Sequence, residues 1–208
     1  MPNSDRIRLR VTNSFVVTVA ILCLFCGTDG CTSILFSAFL HETAHILAVK
    51  GGGGEISEFC CGAGGFSIQS RFPCGRYRRE LIALAAGALS NLIVGVMLVN
   101  IHTDNEYLYT LAGANIAVGL FNLVPAGCFD GGRILYLASE FLLGPQRAQT
   151  VCNSVLAVSA GVVTVGGLFL FVNSGYHVPV LITTLYLSFL LGYGIIDTWI
   201  GRLKRPQT

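Results

Sequence analysis

Phe39-Leu40-His41-Glu42-Thr43-Ala44-His45-Ile46-Leu47-Ala48 is the stretch on which the reading of this chain turns. As a helix it sets His41 and His45 four positions apart on one face, with Glu42 one residue round from the first histidine. Two neutral imidazoles at that spacing suit a Zn²⁺ ion, and the adjacent carboxylate suits proton transfer from a metal-activated water and on to a leaving amine. Five residues with three fixed positions arise by chance in soluble proteins, so the setting carries the weight. The motif lies in an otherwise uncharged run from Cys31 to Val49. There each ionisable group costs about 2.5 to 3.5 kcal/mol at mid-bilayer unless it has partners.

The chain has 208 residues, 53% hydrophobic and 12% charged. An ordinary soluble domain carries about 25% charged residues, so this composition indicates a membrane protein. A net charge of +2 points to no nucleic acid and no acidic partner. The eight cysteines fall mostly in or beside apolar segments, where a free thiol packs as a small hydrophobe. Cys23-x-x-Cys26 lies inside an apolar run with no second pair at zinc-ribbon spacing, and packing is its expected role.

Outward from the motif, the apolar runs suggest an all-α polytopic membrane protein with six transmembrane helices. A short membrane-associated β segment separates helices 2 and 3. The runs are Val11 to Cys26, Cys31 to Val49, Leu81 to Ile101, Tyr107 to Val124, Cys152 to Val172 and Val178 to Ile196. Arg6, Arg8 and Arg10 precede the first run as in a retained signal anchor, and Asp29-Gly30 forms the turn to the second. Gly51 to Gly54 end the second helix, and Glu55 to Arg71 read as one or two short strands. Pro125 ends the fourth run. Ile134 to Gln149 reads as an amphipathic interfacial helix.

With the N-terminus inside, all 13 lysines and arginines fall on the cytoplasmic side, while the outer turns carry Asp29, Asp104 and Glu106. Both termini are therefore expected in the cytoplasm, with the chain in a cell membrane. The whole of 1–208 reads as a single membrane-embedded domain, with a core at about 30–140, further helices at 150–200, and no CBS or PDZ domain. His102 and His177 fall at the outer face, away from the motif, and Asp197 lies near the inner end of the last run beside Trp199.

Two histidines leave a catalytic zinc one protein ligand short. Asp130 is the best candidate, just past the inner end of the fourth run in Ala126-Gly127-Cys128-Phe129-Asp130-Gly131-Gly132-Arg133, whose glycines permit a turn back into the membrane.

These residues resemble the site-2 proteases, zinc enzymes that cut within membranes. Their signature pairs HExxH on one helix with N-x-x-P-x-x-x-x-D-G on a later one. Here His41-Glu42-Thr43-Ala44-His45 is followed by Asn122-Leu123-Val124-Pro125 through Asp130-Gly131. Gly87-Ala88-Leu89-Ser90-Asn91 is similar to the family's G-P-x-x-N, with Ala88 in place of proline. The resemblance spans roughly 30–140, and the six-span plan is most similar to the sporulation (stage IV) branch, without its CBS domain. Gly127 and Cys128 stand where relatives often carry proline, which places a thiol close to the expected metal.

The resemblance implies one Zn²⁺ per chain on His41, His45 and Asp130, with Glu42 as the base. It implies that Asn122 positions the substrate and that Asn91 donates to the oxyanion. The reaction expected is hydrolysis of a peptide bond in or near a transmembrane segment of a membrane-protein substrate bearing a helix-breaking segment. A regulatory protein would be released on the cytoplasmic side. The strands offer an edge for the unwound substrate, with Phe66, Ile68 and Pro125 as candidate substrate-binding residues. Regulatory membrane partners would take the place of the absent domains. Two rivals share some of these features: a membrane metal or proton transporter, and a non-catalytic relative that binds membrane proteins. A transporter needs polar residues along a path, but the last two runs offer mainly Ser, Thr and Tyr before Asp197.

Overall fold

The computed structural model describes residues 8–62, 65–73, 76–101, 104–125, 129–173, 175, 181, 184, 185 and 188. Among them run β1 (Arg8–Val11), α1 (Asn13–Gly51), β2 (Glu55–Gly62), β3 (Gly65–Arg71), α2 (Tyr77–Val99), α3 (Glu106–Asn122), α4 (Asp130–Leu143) and α5 (Pro145–Asn173). The chain is a mostly helical multi-pass membrane protein. Three of the described helices, α1, α2 and α5, are long and apolar enough to cross a bilayer. Leu24, Phe25, Leu47, Ile82 and Phe169 stand exposed along them, as lipid-facing side chains do. The sixth expected run, 178–196, lies almost wholly outside the described residues, as do His102, Cys128, His177, Asp197 and Trp199.

The chain forms two compact units, 1–123 and 124–208. In the first, α1 doubles back on itself. Gly27 has φ 65° and ψ −178°, a backbone state essentially closed to residues with a side chain. Cys31 Sγ consequently lies 3.9 Å from the carbonyl of Val19, twelve positions earlier. In a straight helix those residues stand about 18 Å apart. The two arms, 13–26 and 28–51, correspond to the first two expected runs. The turn is at Gly27 rather than at Asp29-Gly30, which already belong to the second arm.

At the other end of this hairpin, the glycine stretch turns the chain upward again. Gly53 has φ 73°, and the carbonyl of Gly52 accepts from Arg76 Nη1 at 3.1 Å and Arg79 Nη1 at 3.2 Å. These guanidinium groups sit at a helix C-terminus, where positive charge is favoured. Both expected strands are present as β2 and β3, paired antiparallel from Glu55↔Arg71 to Gly62↔Gly65 with an irregularity between Ile56 and Glu58. β1 adds a third strand, parallel to β2 from Arg8↔Glu58 to Val11↔Cys61. No strand was expected there. Four residues ahead of an apolar run carry little alternation, and β1 exists because β2 offers it an edge. Thr12 then ties the strand to the helix, its backbone N–H and its hydroxyl both donating to the carbonyl of Cys61 at 3.0 Å.

Near the tip of the β2–β3 hairpin, the Phe66 ring meets Phe15 at 5.3 Å, Phe59 at 5.9 Å and Phe39 at 6.2 Å between centroids. Phe39 precedes His41 by two residues, so the sheet climbs alongside α1 to the level of the histidines.

Helix α2 begins at Tyr77, earlier than the apolar run, and takes Arg78 and Arg79 into its first turn. It packs on α1, and α3 packs on both. Glycines allow the close approach of α2 and α3. A methyl group at Gly95 would fall 3.1 Å from Ile116 N and 3.2 Å from the Ala112 carbonyl, and one at Gly119 would fall 3.0 Å from the Ala88 carbonyl. Asn105 caps the start of α3, its side chain accepting from Tyr107 N at 3.0 Å, and the helix ends at Asn122, as expected ahead of Pro125.

In the second unit, the expected amphipathic helix over 134–149 is divided. α4 ends at Leu143, Gly144 turns with φ 82°, and Pro145 opens α5 at the first helical position, where its missing N–H is of no consequence. Leu156 forms the buried centre of this unit, packed by Val124, Phe129, Ala160 and Val163.

Candidate metal centre

His41 and His45 are 4% and 9% exposed on the second arm of α1. Their Nε2 atoms lie 3.0 Å apart and their rings stand nearly perpendicular, at 83°. His45 Nδ1 lies 2.7 Å from the carbonyl oxygen of Ala83 on α2. A carbonyl only accepts, so Nδ1 carries the hydrogen and Nε2 of the neutral ring presents its lone pair. That is the arrangement by which a backbone carbonyl orients a metal-ligating histidine. Two nitrogens at about 2.05 Å from a tetrahedral ion lie roughly 3.3 Å apart, so the observed separation is close to what zinc requires.

Gly87 of α2 keeps this place open. A Cβ built there would overlap His45 Nε2 and fall 2.7 Å from His41 Cε1 and 2.8 Å from His41 Nε2. The glycine belongs to the Gly87-to-Asn91 motif, yet the sequence drew attention to the asparagine and passed over the glycine. One register explains the contacts between these helices. Ala83, Gly87 and Asn91 recur every four residues along α2 and meet His45, His41 and Ser37, which recur every four along α1 in the opposite direction. Asn91 is fully buried and donates its amide N–H to the Ser37 carbonyl at 3.2 Å. Glu42 is half-buried and adjoins His41 in the same helical turn.

Asp130 opens α4, where a carboxylate is favoured by the helix dipole, and is 9% exposed. Gly131 and Gly132 beside it are buried. His41 and His45 stand together within the first unit, and Asp130, the third expected ligand, opens the first helix of the second. A donor set of two imidazoles and one carboxylate is that of many catalytic zinc sites. Asn122, at the end of α3, donates its amide to the Val118 carbonyl at 2.9 Å, one turn back on its own helix. Phe66 and Ile68 lie on β3, one of the two edge strands of the sheet, and Pro125 follows the end of α3.

Residues 100–165 match the model of Peptidase family M50. The chain is 34% identical over 110 residues to "Zinc metalloprotease MJ0392" of Methanocaldococcus jannaschii, an alignment covering 49% of this chain and 32% of that protein. It is 27% identical over 128 residues to "Putative zinc metalloprotease Rip3" of Mycobacterium tuberculosis, covering 56% of this chain and 32% of the relative. The chain thus spans about a third of the length of these curated relatives. The solved structure of a site-2 protease from Methanocaldococcus jannaschii superposes with a TM-score of 0.63 at 21% identity, covering 90% of each chain, and so shares its fold.

Proposed function

We propose that this chain is an intramembrane zinc metalloprotease of the site-2 protease family, hydrolysing a peptide bond in or beside a membrane span of another protein. The observation that carries the reading is the oriented histidine pair. Two buried histidines have Nε2 atoms 3.0 Å apart, with a carboxylate at the next position, on an apolar helix where ionisable groups are costly without partners. The match to the M50 model and the fold shared with a site-2 protease support it.

His41 and His45 would hold the metal, and the sequence motif offers Asp130 as the third ligand. When bound, zinc supplies Lewis-acid activation of water at neutral pH. Glu42 accepts the proton of the attacking water and returns it to the leaving amine, a role worth about 10²- to 10⁴-fold in rate. Asn122 positions the substrate segment, and the second amide N–H of Asn91 serves the developing oxyanion. The free side of β3 receives the unwound substrate as an added strand, which satisfies its backbone groups inside the bilayer, with Phe66 and Ile68 beside it and Pro125 nearby in role. Substrates are membrane proteins with a helix-breaking segment near the cut.

The charge pattern supports an orientation with the sheet base and both termini facing the cytoplasm. Lys50, Arg76, Arg78 and Arg79 gather where α1 ends and α2 begins, and Asp29 stands just past the Gly27 turn at the far end. Cleavage then falls near the cytoplasmic end of the substrate span and releases a soluble regulator. The apolar runs also support six spans in all, the plan of the sporulation branch.

The test is to purify wild type and Glu42→Gln in detergent, assay both against single-span substrates bearing helix breakers, and measure zinc per chain. Equal zinc with cleavage by the wild type alone supports the reading. A wild-type chain that binds no zinc overturns it.

A further inference from the structure

The turn at Gly27 brings together two thiols that the proposed chemistry does not use. Cys23 lies on the first arm of α1, one turn before Gly27, and Cys31 lies on the second arm, one turn after it. Their sulfurs are 2.7 Å apart, with the Cys23 thiol donating to Cys31 Sγ. A disulfide bond is about 2.05 Å long, so the two need close by well under an ångström to be bonded. The contact exists because the chain doubles back, since eight residues of straight helix would hold these positions about 12 Å apart. The arms touch at this level: a methyl group at Gly30 would fall 2.8 Å from Cys26 Cβ.

The two thiols differ in access. Cys23 is exposed and Cys31 is 2% exposed. Within the orientation proposed above, on which this inference rests for its compartment, the turn faces the extracytoplasmic side, where disulfides persist.

We infer that Cys23 and Cys31 form a disulfide that clamps the α1 hairpin at its outer end. The oxidant is a disulfide-exchanging protein or small molecule. The exposed Cys23 thiolate attacks one sulfur of the oxidant and releases the first oxidant thiol. Cys31 then loses its proton and attacks Cys23 Sγ, releasing the second. Two protein thiols are oxidised and one oxidant disulfide is reduced to two thiols. Cys26, exposed on the first arm, stays reduced. The bridge fixes the arm carrying Ser37, His41 and His45 to the arm that begins at the sheet.

The test uses the full chain in two settings. In cells, thiols are blocked with N-ethylmaleimide before lysis, and the purified protein is digested without reductant and analysed by mass spectrometry. The expected result is a linked Cys23–Cys31 peptide pair that reductant releases, with Cys26 alkylated. In detergent, reduced protein is exposed to oxidised glutathione. The same pair is expected in wild type and in Cys26→Ser, and no pair in Cys23→Ser. Linkage in detergent but not in cells overturns the inference through the orientation it rests on. No linkage in either setting, or a Cys23–Cys26 pair, overturns it through the geometry. Neither arm reads proteolysis, so its outcome is separate from that of the proposed activity.

Discussion

The carbonyl of Ala83 on α2 accepts the Nδ1–H of His45 on α1 at 2.7 Å. This one bond fixes the ring's tautomer and aims Nε2 at its counterpart on His41. Because the acceptor is backbone, no substitution at Ala83 deletes it, and what the site depends on is the register of α2 against α1.

Gly87 reports on that register. Gly87→Ala places a methyl group against both imidazoles. The rings must then turn from their common point, and zinc affinity is expected to fall about 10- to 100-fold, the range seen when support of a ligand is lost. Zinc titration with a competing chelator measures it. Wild-type affinity in Gly87→Ala would show that the rings have room to shift.

Asn91 ties the same two helices from inside the bundle. Asn91→Ala removes the donor to the Ser37 carbonyl and is expected to destabilise the folded protein by about 1 kcal/mol, within the range of interhelical hydrogen bonds in membranes. Reversible unfolding in mixed detergent reads this directly. An oxyanion role adds a separate loss of about 10²-fold or more in kcat with zinc retained.

Gly27 tolerates no side chain without strain. Space is not the constraint, since nothing lies within 4 Å of a Cβ built there, but φ of 65° with ψ of −178° is. Gly27→Ala is expected to cost about 1–3 kcal/mol of stability. An unchanged unfolding midpoint would mean that the turn relaxes to another residue.

The proposed docking of substrate on β3, one edge of the sheet, can be tested within the strand. Ile68→Pro removes a backbone donor from β3 and is expected to slow cleavage while leaving zinc content at the wild-type value. Cleavage at the wild-type rate would remove β3 as the docking edge.

The sequence alone set His41 and His45 on one face of α1 and marked the apolar runs that α1, α2 and α5 follow. The spacing of His41 and His45 is a property of helical periodicity, and the cost of ionisable groups in an apolar run is a property of the bilayer, so neither needs a partner element to be legible. The two strands of 55–71 and the end of α3 ahead of Pro125 were readable for the same kind of local reason. Tertiary structure decided what depends on pairing. β1 is a strand because β2 lies beside it. The hairpin turns at Gly27 because that glycine, and not Gly30, adopts the positive φ that the meeting of the arms requires. Gly87 matters because an antiparallel register sets it opposite His41, and a missing side chain leaves no trace in a sequence until the neighbour that would have struck it is known.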